Sequence, residues 1–344
     1  VDNEKPVLVG VPANATVECD AIPAAANVTA TDNCGAGAVQ YSETKADGNC
    51  SGNYTLTRTW SVTDIHGNSS SATQVVTVRD TKAPVISCPA DVTVNCQDDN
   101  SPAATGSATA TDNCSTPAIT FSDASTKSTD PNIAGFYNYT ITRTWTATDV
   151  CGNSSSCVQT ITVQDITNPV ITCPSSVTLS CEADKGTAAN GVATATDNCS
   201  PVQITSSDVS TQNSDVNNAG HYNYTITRTW RATDVTGNFS ECVQTITVID
   251  ITKPVITCAS NVTVNCQDDK SPAGAGTSTA TDNCSPVAIT YSDVSTQNSN
   301  VNNRAHYNYT ITRTWRATDV TGNWSECVQT ITVQDITAPV AVCK

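Results

Sequence analysis

The sequence predicts an all-β chain of four tandem β-sandwich modules, each stapled by disulfides, followed by the first strand of a fifth. Three observations carry this prediction. A short linker opening with Asp and closing with Pro recurs at constant spacing, at Asp80 to Pro84, Asp165 to Pro169, Asp250 to Pro254 and Asp335 to Pro339, and the last three read D-x-T-x-P. Between linkers, short segments alternate apolar and polar residues with period two, the pattern of a half-buried strand. All but two of the seventeen cysteines recur in near-fixed register, as expected of small domains that bury too little apolar surface to hold themselves.

The linkers divide the chain into modules at 1–79, 80–164, 165–249 and 250–334, with 335–344 opening a fifth. A variant linker, Asp2 to Pro6, starts the first. Modules three and four are near-copies: residues 209–248 and 294–333 differ at four positions.

In the second module Pro84 to Cys88 reads as a short first strand, and Asp91 to Cys96 (DVTVNC) alternates strictly. Ser107 to Cys114 and Ala118 to Asp123 are further strands. Tyr137 to Asp149 is a long one, with Tyr137, Tyr139, Ile141, Trp145 and Ala147 on one face and Asn138 and threonines on the other. Cys157 to Val163 is the last strand. Thr and Val favour strands, Asn, Ser, Gly and Pro punctuate them, and no segment has helical periodicity. Trp60, Trp145, Trp230 and Trp315 recur at one position and are expected in the cores. Arg58, Arg143, Arg228 and Arg313 share that strand face and are expected to stack or to pair with a carboxylate or carbonyl.

The 16 basic and 32 acidic residues give a formal charge of −16. That disfavours nucleic acid and anionic membrane surfaces as partners and suits cations or simple solubility. Cysteine usage points to an oxidising, extracellular or cell-surface compartment. No apolar run approaches the ~20 residues that span a bilayer. The chain starts in mid-pattern without a signal peptide, so it is expected to be an interior piece of a mature secreted protein.

Comparison between copies suggests cysteine pairing. Modules two to four carry four matching cysteines; module one keeps Cys19 and Cys34 but has Gly10 and Ala72 at the outer two positions. Joint loss marks a bonded pair. Outer bonds Cys88–Cys157, Cys173–Cys242 and Cys258–Cys327 are therefore expected. The inner pairs are then Cys19–Cys34, Cys96–Cys114, Cys181–Cys199 and Cys266–Cys284. Cys343 matches Cys88 and is expected to pair with a last-strand cysteine of a further repeat. Cys50 precedes a long strand and Cys151 lies in the turn of the next module. Strand directions bring both to one junction, so an inter-module Cys50–Cys151 bond is expected; the alternative is two free or externally paired thiols.

The motifs TATDNC, YTITRTWxATDxxGN, CVQTITV and DITxP, in fixed order over almost the whole chain, resemble hyalin-repeat (HYR-like) immunoglobulin-type modules, in particular those arrayed in giant surface adhesins of Bacteroidetes, the SprB-like proteins. The resemblance implies an Ig-like sandwich, export to the cell surface and a role in adhesion or extended filaments. It does not identify a ligand.

Three aspartates recur per module: a linker Asp, the Asp of TATDNC and the Asp of D-x-x-G-N. The sets are Asp2, Asp32 and Asp64; Asp80, Asp112 and Asp149; Asp165, Asp197 and Asp234; Asp250, Asp282 and Asp319. The inner disulfide is expected to hold each middle Asp at the end that carries the other two. Three carboxylates converging there call for a cation, and Ca²⁺ takes six to eight oxygen ligands. The pattern loosely resembles the inter-domain calcium sites of cadherins. The alternative is ordinary turn chemistry, in which Asp and Asn cap turns and Gly-Asn suits a hairpin.

No catalytic constellation is present: no G-x-S-x-G, H-E-x-x-H, phosphate loop or C-x-x-C, and an enzyme is not expected. Of the three histidines, His221 and His306 match each other but are Phe136 in module two, which indicates packing. Fifteen N-x-[ST] sequons occur; in a chain so rich in Ser and Thr many arise by chance.

The leading expectation is a structural stalk or filament segment, its neighbours in the same chain being its main partners. Strands of about 10 residues span roughly 34 Å, so four modules end to end would reach on the order of 140 Å. Near-copies suit a rod better than a unique binding surface. A carbohydrate- or protein-binding array is the second reading, with Ser125 to Gly135 the best candidate loop; lateral self-association and surface glycans are its partners. An accessory region of a secreted enzyme is the third. Ice binding by the threonine rows is the weakest.

Overall fold

A computed structural model describes residues 1–342; Cys343 lies outside the described residues. The described chain is all-β, with strands in four-stranded and two-stranded sheets. It divides into two compact units: residues 1–166 with 198–200, and residues 167–197 with 201–344.

The first unit holds twelve strands: β1 (Val7–Val9), β2 (Ala15–Val17), β3 (Thr29–Thr31), β4 (Gln40–Asp47), β5 (Tyr54–Thr63), β6 (Ser69–Val78), β7 (Val85–Ser87), β8 (Val92–Asn95), β9 (Thr109–Thr111), β10 (Ala118–Ser125), β11 (Tyr139–Thr148) and β12 (Ser154–Gln164). They form one six-strand pattern twice. A two-stranded sheet, β1–β3 or β7–β9, accompanies a four-stranded sheet of order β2-β6-β5-β4 or β10-β11-β12-β8. The second unit repeats the pattern with β13 (Val170–Thr172), β14 (Val177–Ser180), β15 (Thr194–Thr196), β16 (Val202–Ser210), β17 (Tyr224–Asp234) and β18 (Phe239–Ile249), then β19 (Val255–Thr257), β20 (Val262–Asn265), β21 (Thr279–Thr281), β22 (Val287–Ser295), β23 (Tyr309–Asp319) and β24 (Trp324–Gln334).

The long hairpin β11–β12 is the backbone of each copy. Threonines and β-branched or aromatic residues alternate along β11 and suit a pleated surface buried on one face. Its turn runs from Asp149 to Asn153, and Gly152 adopts φ +92°, a left-handed conformation that costs glycine little. β12 then pairs in parallel with β8, Ile161 beside Val92 and Gln164 beside Asn95.

Each core is small. In the second copy Ile141, Ile161 and Val163 are buried, packed against Val92, Val94, Cys96 and Tyr139. Trp60, Trp145, Trp230 and Trp315 are only 2–4% exposed. Polar groups share the interior, and most of their donors find partners there. Arg143 donates from Nε and Nη2 to the two carboxylate oxygens of Asp123, each at 2.8 Å. It also donates to Thr105 Oγ1 and to the Asn100 carbonyl. Arg228 and Arg313 make the same two-pronged pairing with Asp208 and Asp293. Arg58 makes a single bond instead, from Nε to one Glu43 oxygen at 2.8 Å, and its Nη2 donates to the Pro23 carbonyl. Gln159, fully buried, donates to the carbonyls of Ala90 and Thr105 at 3.0 and 2.7 Å. The helical turn α1 (Pro102–Thr105), absent from the sequence expectation, supplies the Thr105 acceptors. His221 and Phe136 both pack edge-on, to Tyr222 and Tyr137 at 4.8 and 5.0 Å, and His221 Nδ1 also hydrogen-bonds the Asn213 carbonyl at 2.7 Å.

The outer cysteines are bonded as Cys88–Cys157, Cys173–Cys242 and Cys258–Cys327, with Cα separations of 5.8–5.9 Å. Cys50 is bonded to Cys151, Cα atoms 5.2 Å apart. The inner pairing differs from expectation. Instead of Cys19–Cys34, Cys96–Cys114, Cys181–Cys199 and Cys266–Cys284, the bonds are Cys19–Cys114, Cys96–Cys199 and Cys181–Cys284. Cys34 and Cys266 are free thiols. The reason is strand direction. β8 runs parallel to β12 and so delivers Cys96 to the end where the chain leaves the copy. β9 runs antiparallel to β7, which begins just after the entry linker, and so delivers Cys114 to the opposite end. Two cysteines at opposite ends of one sandwich cannot bond to each other.

Candidate metal centre at the repeat junction

In the first unit three chain segments bring carboxylates together. Asp80 follows β6 in the linker, Asp112 follows β9, and Asp149 follows β11. One oxygen from each lies within 4.8 Å of the others. Asp112 reaches this end through the direction of β9, not through an inner disulfide.

Asp149 is tied up by its own turn. Its Oδ1 accepts from the amides of Cys151 and Asn153 at 2.8 and 2.9 Å, and its Oδ2 from Asn153 Nδ2 at 2.8 Å. Burial opposes its ionisation, but the Asn153 side chain and the turn amides outweigh that and hold its carboxyl below the usual range. Asp112 accepts from the amides of Cys114 and Ser115 on Oδ2, while its buried Oδ1 has no partner.

Asp80 is the anomaly. It is 5% exposed, and neither carboxylate oxygen has a hydrogen-bond partner of normal geometry. Burial, then the charges of Asp112 and Asp149, then that of Glu18 push its carboxyl up, and the nearby Lys82 amide offsets only part of this. Glu18, one residue before Cys19, brings a fourth carboxylate oxygen within 4.8 Å of Asp80.

Two disulfides bracket the cluster. Cys19 and Cys114 adjoin Glu18 and Asp112, and Cys151 lies just beyond Asp149. The Cys50 loop packs so closely that a Cβ on Gly52 would meet Asp80 Cβ at 2.8 Å and Cys151 Sγ at 3.0 Å. The linker is fixed from the other side by Asn53, whose Oδ1 accepts from the Asp80 amide at 2.8 Å.

A buried, charged, unpartnered carboxylate costs several kcal/mol unless a proton or cation compensates it. Asp80 and the bare oxygen of Asp112, with Asp149 beside them, form an all-oxygen donor set of the kind hard divalent cations prefer. The residues therefore fit Ca²⁺.

The other sets are arranged as follows. Asp2 and Asp64 gather with His66; the Asp2 side chain is 4% exposed, its Oδ2 3.6 Å from His66 Nδ1. Asp32 accepts from the Cys34 amide. Asp165, buried, lies with Cys96 and Cys199, and its amide is held by Asn138 Oδ1. In the second unit Asp197 is half-buried and Asp234 caps its own turn through Thr236 and Asn238. Asp250 is pushed up by burial and by the charges of Asp282 and Asp319, with the Thr252 amide opposing. Thr321 Oγ1 lies 3.3 Å from its Oδ2 and donates to it. Cys151 occupies the position of Thr321 in the first unit, so that hydroxyl is missing beside Asp80.

Sequence reading overlooked Glu18 and the linker asparagines. Asn53, Asn138 and Asn223 each precede by the same interval the Asp whose amide they cap, a spacing that recurs in the sequence.

Residues 7–78 and 84–163 match the family described as "HYR-like domain with 4 cysteines". No curated protein matches the chain. Among solved structures it is similar to the protocadherin gammaB4 extracellular domain, at 16% identity over 97% of this chain and 67% of that one, with a TM-score of 0.37. The protocadherin gammaB7 EC3-6 cis-dimer gives 12% identity, 96% and 100% coverage and a TM-score of 0.40. Drosophila N-cadherin EC1-4 gives 11%, 81% and 83%, and 0.27.

Proposed function

We propose that this chain is a load-bearing stalk or filament segment of an extracellular adhesin, of the kind carried by giant Bacteroidetes surface proteins, with Ca²⁺ stiffening its repeat junctions. The observation that carries this reading is the path of the bridging disulfides. From Cys19 the bond leads to Cys114, the backbone runs back to Cys96, and the next bond leads to Cys199. From there the backbone runs back again to Cys181, which is bonded to Cys284. A second covalent route thus runs beside the main chain from repeat to repeat. Together with the outer bonds it limits how far any repeat can lengthen. Such bracing serves tension, and it has no evident use in an enzyme accessory region. Seven disulfides suit an extracellular setting, and no helix among the described residues is long and apolar enough to cross a membrane.

Single-molecule stretching tests the reading. The oxidised chain should show no extension steps of a whole repeat, roughly 300 Å at full extension, whereas dithiothreitol should release them. Whole-repeat steps in the oxidised chain would refute a load-bearing role. Chelation should lower the bending stiffness measured by imaging, and an unchanged stiffness would remove calcium from the account.

A further inference from the structure

In the β5–β6 turn of the first copy His66 stands where the later copies carry Cys151, Thr236 and Thr321. This position faces the linker Asp of its own copy. In the fourth copy Thr321 Oγ1 donates to Asp250 Oδ2 at 3.3 Å and to Asp319 Oδ1 at 3.0 Å. In the first copy His66 Nδ1 takes that place, 3.6 Å from Asp2 Oδ2. One ligand atom each from Asp2, Asp64 and His66 lie within 4.8 Å of one another.

The turn holds this group in place. Asp64 Oδ1 accepts from the amides of His66 and Asn68 at 2.8 and 2.9 Å, and its Oδ2 from Asn68 Nδ2 at 2.8 Å. Asn68 Nδ2 also donates to the Asp2 carbonyl at 3.2 Å, which ties the linker to the turn. Asp2 gives a second, independent sign. Its side chain is 4% exposed, and its Oδ1 accepts from the Glu4 amide, but its buried Oδ2 has no hydrogen-bond partner. The 3.6 Å to His66 Nδ1 is too long for a hydrogen bond. It is close to the roughly 3.4 Å between two ligands of one tetrahedral ion, each about 2.0–2.2 Å from the metal.

We propose that Asp2, Asp64 and His66 form a site for a divalent transition metal of the Zn²⁺ type, distinct from the calcium proposed at Asp80. The imidazole nitrogen decides between the cations. Ca²⁺ takes oxygen ligands, whereas imidazole beside carboxylates suits Zn²⁺. The two carboxylates balance the charge of the ion, and the buried Asp2 oxygen gains the partner it otherwise lacks. The exposed His66 ring gives the ion a path from solvent. At the Asp80 junction the equivalent position offers no such donor, because Cys151 is locked in a disulfide. The inference does not depend on the stalk reading.

The test uses the full chain with every thiol alkylated by iodoacetamide, so that no cysteine captures the metal. Zn²⁺ is titrated by calorimetry in millimolar Ca²⁺. One saturable Zn²⁺ site per chain is expected. His66→Thr, which matches the third and fourth copies at this position, and Asp2→Asn should each abolish it, while the metal-free variants melt no lower than the parent. His221→Phe and His306→Phe, which match the second copy, should leave it intact. No saturable binding by the parent would overturn the inference. So would Zn²⁺ binding that survives His66→Thr, or binding seen only when Ca²⁺ is left out. Calcium at the Asp80 junction is read by its own variant, Asp80→Asn, so either assignment can fail without the other.

Discussion

Cys96 and Cys199 are far apart in the chain, yet their Cα atoms are 6.1 Å apart and their sulfurs are bonded. Cys96 is placed by β8, whose parallel pairing with β12 sends it to the exit end of its copy. The same direction rule assigns different work to the two disulfide classes: outer bonds clamp first strand to last, and bridging bonds tie one copy to the next.

Removing an outer bond should therefore cost fold stability. Cys88→Ala/Cys157→Ala opens a long loop, the two cysteines being separated by 69 positions, and the bond is worth roughly 4 kcal/mol in the chain-entropy model. Denaturant unfolding followed by Trp145 fluorescence should show it. Cys19→Ala/Cys114→Ala should leave the Trp145 midpoint almost unchanged and speed proteolysis at the linker near Asp80.

The buried arginine is a second test. Arg143 is 2% exposed and satisfies two segments besides Asp123. Arg143→Met should destabilise by about 2 kcal/mol, because water can rehydrate the exposed Asp123 while the Thr105 hydroxyl and Asn100 carbonyl lose their donor.

This pairing also sets acid sensitivity. The Arg228 guanidinium holds the Asp208 carboxyl below its ordinary value. A depressed folded-state pKa means that the stabilisation is complete above the unfolded carboxylate pKa of about 3.9 and is lost as pH falls through the lower folded value. Asp208→Asn should flatten that acid limb while leaving the shape of the curve at neutral pH unchanged, which a pH series of thermal melts can measure.

Gln159 is buried with no exposed surface, and its amide donates to the carbonyls of Ala90 and Thr105. Gln159→Leu conserves bulk but removes that donor from both carbonyls. A loss of about 2 kcal/mol is expected, since each buried unpaired group costs ~1–3 kcal/mol. A neutral result in denaturant unfolding would show that water replaces the amide.

The strand plan was legible because each strand buries one face, so Trp145, Ile161 and Val163 stand out by parity. The same parity places Gln159 inside, in register with Ile161, but a glutamine reads as polar and so gives no core signal. The convergence of Asp80, Asp112 and Asp149 was legible as recurrence at three fixed positions. The partners of Cys96 and Cys114 were not, because a repeat makes two pairings equally consistent: with the cysteine of the same copy or with that of the next. The directions of β8 and β9, set by long-range pairing with no local signature, decide between them. The Cys50–Cys151 bond could be anticipated because neither cysteine has a counterpart in other copies and strand directions bring both to one junction. The turn α1 is too short for a periodicity signal, and its role, offering Thr105 to Arg143 and Gln159, is tertiary.

Calcium should act through Asp80. Without it, Asp80→Asn removes a buried charge beside two others, so the variant should melt no lower than the parent in chelator. With millimolar Ca²⁺ the parent should gain several degrees and the variant less. Equal gains in both would place the cation elsewhere.

Non-reducing peptide mapping by mass spectrometry tests the central claim most directly. Cross-linked peptides joining Cys19 to Cys114, Cys96 to Cys199 and Cys181 to Cys284 are predicted. Recovery of Cys19–Cys34, Cys96–Cys114 and Cys181–Cys199 instead would contradict the bracing of each repeat to the next.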